Sequence, residues 1–375
     1  MAVIGITVLV AGSLIYCLLT IVAAVRHLEP DKSRSQPHSV VPISVLKPLA
    51  GIDDGLRENL VALFEQEYPA FEVIFAVRQN TDPAFALAAS LMDRYPAIPC
   101  RLLLTGEPPY PNAKVYSLGT MTAVAAHDVL VMSDSDIRVD RNFLRHIAAE
   151  IGSDQYDLAT CPYRAVAGNT IWSRLEALGM NTEFWGGVLV AKLIEGVRFT
   201  IGPTVVARRK VLDAIPWESL SDYLAEDFVL GQRAAEMGFR VALSQSVVEH
   251  RLSGESMKKN LAHRLRWARS TRRSRPAGYV GQLFTYPLPL ALILIAVDGH
   301  LWPVFIATLI VRTLAAYAVA HRVLGAQLGP LNWLLIPVQD VLGFLFWIAG
   351  FSGNHINWRG HRYRLHPDGT FTLVS

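Results

Sequence analysis

The chain opens on an uninterrupted apolar run, "AVIGITVLVAGSLIYCLLTIVAAV" (Ala2 to Val25), and three stretches of similar character stand near its end. The opening run is uncharged and long enough to span a bilayer. A cleaved signal peptide would carry its positive residues before a shorter run. Here Arg26, His27, Lys32 and Arg34 follow instead. That asymmetry predicts a retained anchor, with the N-terminus outside and the next domain in the cytoplasm. The later stretches are Phe284 to Val297, Leu301 to Ala320 and Leu331 to Phe351, the first two joined by a "DGH" turn. In the third, Pro337, Gln339 and Asp340 permit a re-entrant or interfacial helix, which would keep the basic end "NWRGHRYRLH" in the cytoplasm. Arg312 and Asp340 both fall at membrane depth, where an ionisable group is costly unless paired, so an ion pair between them is expected.

Between these ends the period shortens. "VPISVLKPL", "FEVIFAVRQ", "CRLLLT" and "DVLVMSD" are apolar runs of strand length. They alternate with "LRENLVALFEQEY", "PAFALAASLMDRYP" and "KVYSLGTMTAVAAH", whose apolar residues recur at helical spacing. Such alternation predicts an α/β domain with a mostly parallel sheet covered by helices on both faces. The organisation that follows is an anchor over 1–26, a polar linker over 27–41 ("LEPDKSRSQPHS"), a domain over 42–276, membrane helices over 277–352 and a basic tail over 353–375. Ligands of open α/β sheets bind beyond the C-terminal ends of the strands. Lys47, Asp82, Asp134 and Asp136 all fall there.

Composition agrees with a multi-pass membrane protein: 51% of the 375 residues are hydrophobic and 18% charged. A formal charge of +3 gives no argument for nucleic acid as a partner. Three widely spaced cysteines form neither a disulfide framework nor a zinc pattern, as suits a reducing compartment.

Three constellations carry candidate chemistry. In "VLVMSDSD", Asp134 and Asp136 leave the end of a buried strand one residue apart. They read either as a solvated turn or as ligands of a hard divalent cation, Mg²⁺ or Mn²⁺, completed by phosphate oxygens. In "YLAEDFVLGQRAAEMGF", Glu226 and Asp227 open a helix. They read either as acids favoured by the helix dipole or as a catalytic base with its neighbour. In "NLAHRLRWARSTRRSRP", six arginines crowd one segment. Arg272 to Arg275 suit anionic headgroups, whereas Arg266 with Trp267 suits stacking and phosphate clamping.

Taken in order, "SVLKPLAG", "NTDPA", "SDSDIRV", "LAEDF" and "HRLRW" resemble the family 2-like glycosyltransferases of the GT-A fold. More narrowly, the chain is similar to the ceramide glucosyltransferases (family 21) and the related bacterial hopanoid-associated glycosyltransferases. The likeness runs from Ala2 to "INWRGHRYRL". It implies that Asp82 helps seat a uridine nucleotide, ahead of the neighbouring Asn80. Asp134 and Asp136 become the metal–diphosphate pair, although the animal ceramide enzymes have glycine at the position of Asp136. Asp227 becomes the general base, with Glu226 beside it as a motif or acceptor-side residue. Arg266 and Trp267 match the end of a (Q/R)-x-x-R-W motif whose first position here is His263. Lys47 and Lys114 stand where basic residues approach the nucleotide or its phosphates. Glu183, Phe184 and Trp185 are expected to line an acceptor pocket.

The implied activity is inverting transfer from a UDP-sugar to a membrane-lipid hydroxyl, as UDP-glucose to ceramide. A hopanoid acceptor with UDP-N-acetylglucosamine is the alternative. A processive polysaccharide synthase would need more membrane helices, and a non-catalytic scaffold would lose a carboxylate. In a bacterium the setting would be the inner membrane.

Overall fold

The computed structural model describes residues 1–29, 40–152, 156–358 and 361–374. Most of the expected linker, with Lys32 and Arg34, lies outside the described residues.

Seven strands form the central sheet in the order β3-β2-β1-β4-β8-β6-β9. They are β1 (Ile43–Pro48), β2 (Phe71–Val77), β3 (Cys100–Leu104), β4 (Val129–Ser133), β6 (Leu158–Thr160), β8 (Thr204–Arg208) and β9 (Val241–Leu243). The first four are parallel, with Val45 opposite both Val73 and Val131. β8 then runs antiparallel to β4 and to β6. The sheet is therefore mixed, and its parallel half is the half that the sequence pattern foresaw.

Alternation along the strands explains the continuous apolar runs. Val45, Val73, Phe75 and Val131 point into one core, while Leu46, Ile74, Leu130 and Met132 point into another on the opposite face. Helices α2 (Leu56–Phe64), α3 (Pro83–Arg94), α4 (Ala113–Val124) and α5 (Phe143–Ile151) supply the parallel crossovers and their covering layer. A small second sheet, β5-β10-β7, joins β5 (Ile137–Arg138), β7 (Tyr163–Val166) and β10 (Val248–Arg251) directly after the Asp134 turn.

After β7, α6 (Ile171–Gly179) passes through a π-helical turn (Met180–Phe184) into α7 (Trp185–Glu195). This apolar, bent helix joins the domain to α1 (Ala2–Leu28): a Cβ added at Gly186 would stand 3.2 Å from Thr20. Helices α8 (Arg209–Ala214), α9 (Glu226–Glu236) and α10 (Met257–Ser274) follow. The remainder comprises α11 (Pro276–Gly281), α12 (Pro287–Val297), α13 (Trp302–Tyr317, continued by a π-turn to Val323) and α14 (Pro330–Gly350).

Among the described residues three helices are long and apolar enough to cross a membrane: Ala2–Leu28, Gly299–Val323 and Pro330–Gly350. The third apolar stretch, for which a re-entrant or interfacial helix was allowed, forms one continuous helix, and the bend among the apolar segments lies elsewhere. α14 runs unbroken through Pro337, and the bend of 59° separates Pro276–Thr285 from Pro287–Val297. Pro287 and Pro289 explain the placement, because each removes a backbone donor at the start of α12.

Both ends of α14 nevertheless meet the α/β domain. Arg164 donates to Leu324 O (3.4 Å) and Gly325 O (3.1 Å) ahead of it. Arg272 donates to Phe351 O and Gly353 O beyond it. The basic tail folds into three antiparallel strands, β11 (His355–Trp358), β12 (His361–Leu365) and β13 (Phe371–Leu373). These dock on the domain through Phe371 N–H to Asp222 O, 2.9 Å. Between the helices the anticipated ion pair is present: Arg312 Nη2 lies 2.8 Å from Asp340 Oδ1, with both side chains buried.

Candidate active site

β4 ends at Ser133, and the chain turns sharply at once. Asp134 N–H donates to Pro203 O (3.0 Å) and Ile137 N–H to Asp134 O (3.2 Å). Under this turn lies Lys47, wholly buried, its Nζ donating to Ser133 Oγ (3.2 Å) and Ile137 O (2.9 Å). Burial lowers its pKa to about 8 against the pull of Asp136 and Asp134. The structure thus places Lys47 as a support behind the two aspartates.

In front of the turn the charges converge. Lys114, near the start of α4, reaches Asp134 Oδ1 at 2.7 Å and Glu226 Oε1 at 3.3 Å. Asn112 sets this geometry twice. Its carbonyl oxygen caps α4 by accepting from Val115 N–H (3.3 Å), and its amide donates to Glu226 Oε2 (3.2 Å). Glu226 and Asp227 occupy the first turn of α9, where the dipole favours acids. Asp227 accepts from the backbone N–H groups of Phe228 and Gly202. A Cβ at Gly202 would lie 3.0 Å from Asp227 Oδ2 and 3.4 Å from Lys114 Nζ, so a side chain there would crowd both.

These contacts set the protonation pattern. Burial, and next the negative charge of Glu226, push Asp227 up to about 7, while Lys114 opposes. Burial disfavours the charge on Lys114, but Asp134, Glu226 and Asp227 together hold its pKa above the ordinary lysine value. Burial also raises Asp134, with Lys114 working against it. A carboxyl group titrating near neutrality beside a fixed cation is equipped to take a proton.

Asp136 faces a partner that sequence reasoning missed. His250, on β10, places Nε2 3.1 Å from Asp136 Oδ2. Burial pushes Asp136 up, yet the imidazole outweighs it and holds the carboxyl below its usual value. His250 is buried, and Tyr163 packs edge-on against its ring at 5.1 Å. A lone histidine in "VVEHRL" carries no local signal, because its partner is 114 residues away.

The remaining expected residues lie around this cluster. Asp82 caps α3, accepting from Ala84 N–H (2.8 Å) and from Gly51 N–H (3.0 Å). It thereby ties together the loops after β1 and β2. On α10, His263 Nδ1 meets Glu176 Oε1 at 2.8 Å, so the departure from Gln or Arg is matched by a local carboxylate. Trp267 packs on His263 (5.1 Å) and Phe184 (6.2 Å), and Arg266 is half-buried next to it. An aromatic series, Trp267–Phe184–Trp185–Tyr163, links α10 to His250 and so to Asp136. Of the three residues expected at an acceptor pocket, Trp185 is wholly buried and Phe184 belongs to this series. Glu183 instead points toward the membrane helices, hydrogen-bonded with Tyr286.

Asp134 and Asp136 suit a hard cation. Their side chains are 32% and 36% exposed, and each has only one oxygen in the contacts to Lys114 and His250. Among the described residues no group of three or more His, Cys, Asp or Glu is arranged to hold a metal ion by itself. A cation here would draw most of its ligands from substrate phosphates, as Mg²⁺ and Mn²⁺ commonly do.

Comparison with known proteins identifies the family and the fold. The model of Glycosyl transferase family 21 matches residues 5–371. Ceramide glucosyltransferase 1 of Caenorhabditis elegans is 26% identical over 213 residues, 56% of this chain and 45% of that protein. Ceramide glucosyltransferase 3 of the same organism is 23% identical over 333 residues, 86% of this chain and 72% of that protein. The match thus spans less than half the length of the first relative. Among solved structures, mannosyltransferase PcManGT from Pyrobaculum calidifontis, in complex with GDP-Man and Mn²⁺, superposes with a TM-score of 0.55 at 17% identity. That superposition covers 94% of this chain and 98% of the other. The fold is that of the GT-A glycosyltransferases.

Proposed function

The chain belongs to Glycosyl transferase family 21, and on that premise we propose that it transfers a sugar from UDP-glucose to the primary hydroxyl of ceramide, with inversion, at the membrane surface. The carrying observation is the charge pattern of the cleft: Asp227, raised to about 7, stands beside Lys114 and Asp134 at the C-terminal edge of the sheet. In this reading Asp227 removes the proton from the acceptor hydroxyl as that oxygen attacks the anomeric carbon in line with the departing UDP. Lys114 stabilises the diphosphate end of the leaving group, aided by Arg266. Asp134 and Asp136 would hold a divalent cation, whose chemistry is to neutralise charge developing on that diphosphate. Asp82 seats the nucleotide.

The acceptor side follows from the connection of α6 and α7 to α1, which brings the cleft's aromatic wall next to apolar helices. A lipid hydroxyl can then be presented without leaving the bilayer, and the domain lies on the cytoplasmic face.

Purified full-length protein in lipid nanodiscs, given radiolabelled UDP-glucose and ceramide, should yield one discrete glycolipid. A polymer, or no product from any UDP-sugar, would overturn the reading. Asp227→Asn should bind UDP-glucose and fail to turn it over; full activity in that variant would refute the base assignment.

A further inference from the structure

The arginines at and just beyond the end of α10 that suited a lipid surface, and Arg269 before them, are largely occupied within the protein. Arg269 donates to Ser352 O and His355 O, Arg272 donates to Phe351 O and Gly353 O, and Arg275 pairs with Glu195. These side chains hold the chain beyond α14 and the end of α7, where the last helical carbonyls attract cations. Elsewhere positive charge exceeds its partners: Arg164 and Arg251 share the single carboxylate of Glu249, at 2.7 and 3.2 Å.

A cavity of about 330 Å³ lies where β7, α6 and the 324–329 loop meet. Arg164 and Arg174 line it together with the amides of Asn181, Gln327 and Asn332, and no Asp or Glu lines it. Arg164 is fixed before any ligand arrives. Its Nη2 is 2.7 Å from Glu249 Oε1 and its Nη1 donates to Leu324 O and Gly325 O. An arginine already held in place loses little rotamer freedom on binding an anion. The side chain of Arg174, exposed on the first turn of α6, has no hydrogen-bond or ion-pair partner among the described residues.

The other wall is apolar. Leu178 and Leu328 join Leu288, Ala316 and Ile336 in a cluster between the membrane helices. The cavity also stands at the end of Gly299–Val323, one of the candidate spans, which is the depth of lipid headgroups if that helix crosses. On α14, Asn332 lines the cavity, while Leu331, Leu334 and Val338, 48%, 76% and 47% exposed, stand on the outward side of the same helix. A basic pocket with an apolar wall at Leu178 and Leu328, at the end of a candidate span whose neighbouring helix exposes apolar residues outward, has the polarity profile of one phospholipid.

We infer that this cavity binds the phosphate of an anionic glycerophospholipid, with the guanidinium groups of Arg164 and Arg174 on its oxygens and its acyl chains along Leu331, Leu334 and Val338. Basic pockets between membrane helices recognise anionic headgroups in this way. The site shares no residue with the catalytic cleft, so it stands or falls separately from the proposed reaction.

Native mass spectrometry of the full-length protein, released from micelles containing phosphatidylglycerol and phosphatidylcholine in equal amounts, tests it. A single phosphatidylglycerol should be retained in preference to phosphatidylcholine. Arg174→Gln should cut that retention by roughly tenfold, the loss of one charge-assisted contact. Arg57→Gln, which removes an exposed cation on α2, should leave it intact. Equal retention of the two lipids, unchanged retention in Arg174→Gln, or equal loss in Arg57→Gln would overturn the proposal. So would saturation of the site by inorganic phosphate with no phosphatidylglycerol retained, which would mark a free-anion site. Arg174 is exposed, and unchanged thermal unfolding of its variant would separate loss of binding from loss of fold.

Discussion

Two buried charge clusters in this protein are built on opposite principles. In the helical layer one cation meets one anion. Arg312 Nε reaches both oxygens of Asp340 (2.9 and 3.2 Å), Nη2 reaches Oδ1 (2.8 Å), and Thr182 Oγ1 accepts a further bond. That pair is neutral, with both carboxylate oxygens of Asp340 engaged by the guanidinium. In the cleft Lys114 serves Asp134 and Glu226 with Asp227 alongside, so three carboxylates share one ammonium. That cluster is unbalanced: burial raises Asp227 most, and the excess negative charge of Glu226 raises it further against Lys114. Charge stoichiometry thus separates a buried ion pair that maintains a fold from one that awaits a substrate: a balanced pair resists change, whereas an unbalanced one responds to an incoming group.

The largest expected effect breaks the balanced side. Arg312→Ala or Asp340→Ala leaves a buried charge unpaired, which costs about 3–5 kcal/mol. Folded yield and thermal unfolding midpoint should both fall sharply. Exchanging the two residues, Arg312→Asp with Asp340→Arg, should recover part of the loss. Equal damage in all three variants would show that the pair is not the stabilising element. The unbalanced side should behave in the reverse manner. Asp227→Asn removes one of the competing charges, so its unfolding midpoint should hold or rise, while kcat falls by roughly 10²–10⁴-fold for loss of a general base. A variant that loses stability and keeps its rate would erase the distinction between the clusters.

How much of this could be read from the sequence follows the same division. Strands β1, β2 and β4 were legible because burial on both faces forces unbroken apolar runs, and the Asp134 turn was legible because it ends one of them. The Arg312–Asp340 pair was legible because polar residues among apolar helices have few ways to be satisfied. Contacts made across the fold were not. His250 carries no local signal for its bond to Asp136, and nothing around Lys47 indicates that it supports the turn from behind. The α10 arginines show the limit most plainly. Composition gives the sign of a patch, and a lipid surface was a fair expectation, but the partners of Arg269 and Arg272 are carbonyls more than seventy residues away. The basic tail was likewise read by charge, whereas alternation of Ile356, Tyr363, Leu365 and Phe371 into one small core makes it a sheet.

A smaller effect tests whether the imbalance is used at all. A base must be deprotonated to act, so with Asp227 at about 7 the turnover rate should climb through neutrality and level off above it. Below that point it should fall by about tenfold per pH unit. Glu226→Gln removes the second-largest cause of the shift. The midpoint of the profile should therefore move toward lower pH, and the rate at pH 6 should fall less steeply. A profile that Glu226→Gln leaves in place would assign the titration to another group.

The smallest effect is geometric. Gly202 is free of side chain where Asp227 Oδ2 and Lys114 Nζ approach, and the Cβ of Gly202→Ala would stand 3.0 and 3.4 Å from them. Lys114 ends a flexible side chain and can retreat. Asp227 is held by Phe228 N–H and by Gly202 N–H itself, so it absorbs most of the displacement. A shift of this kind costs about 1–3 kcal/mol in a packed setting. Because the strain falls on Asp227, the base proposed above, kcat should drop more than affinity for the proposed donor, UDP-glucose. Equal losses in both would place the clash on Lys114 and the diphosphate, and would move the rigid part of the cleft from α9 to α4.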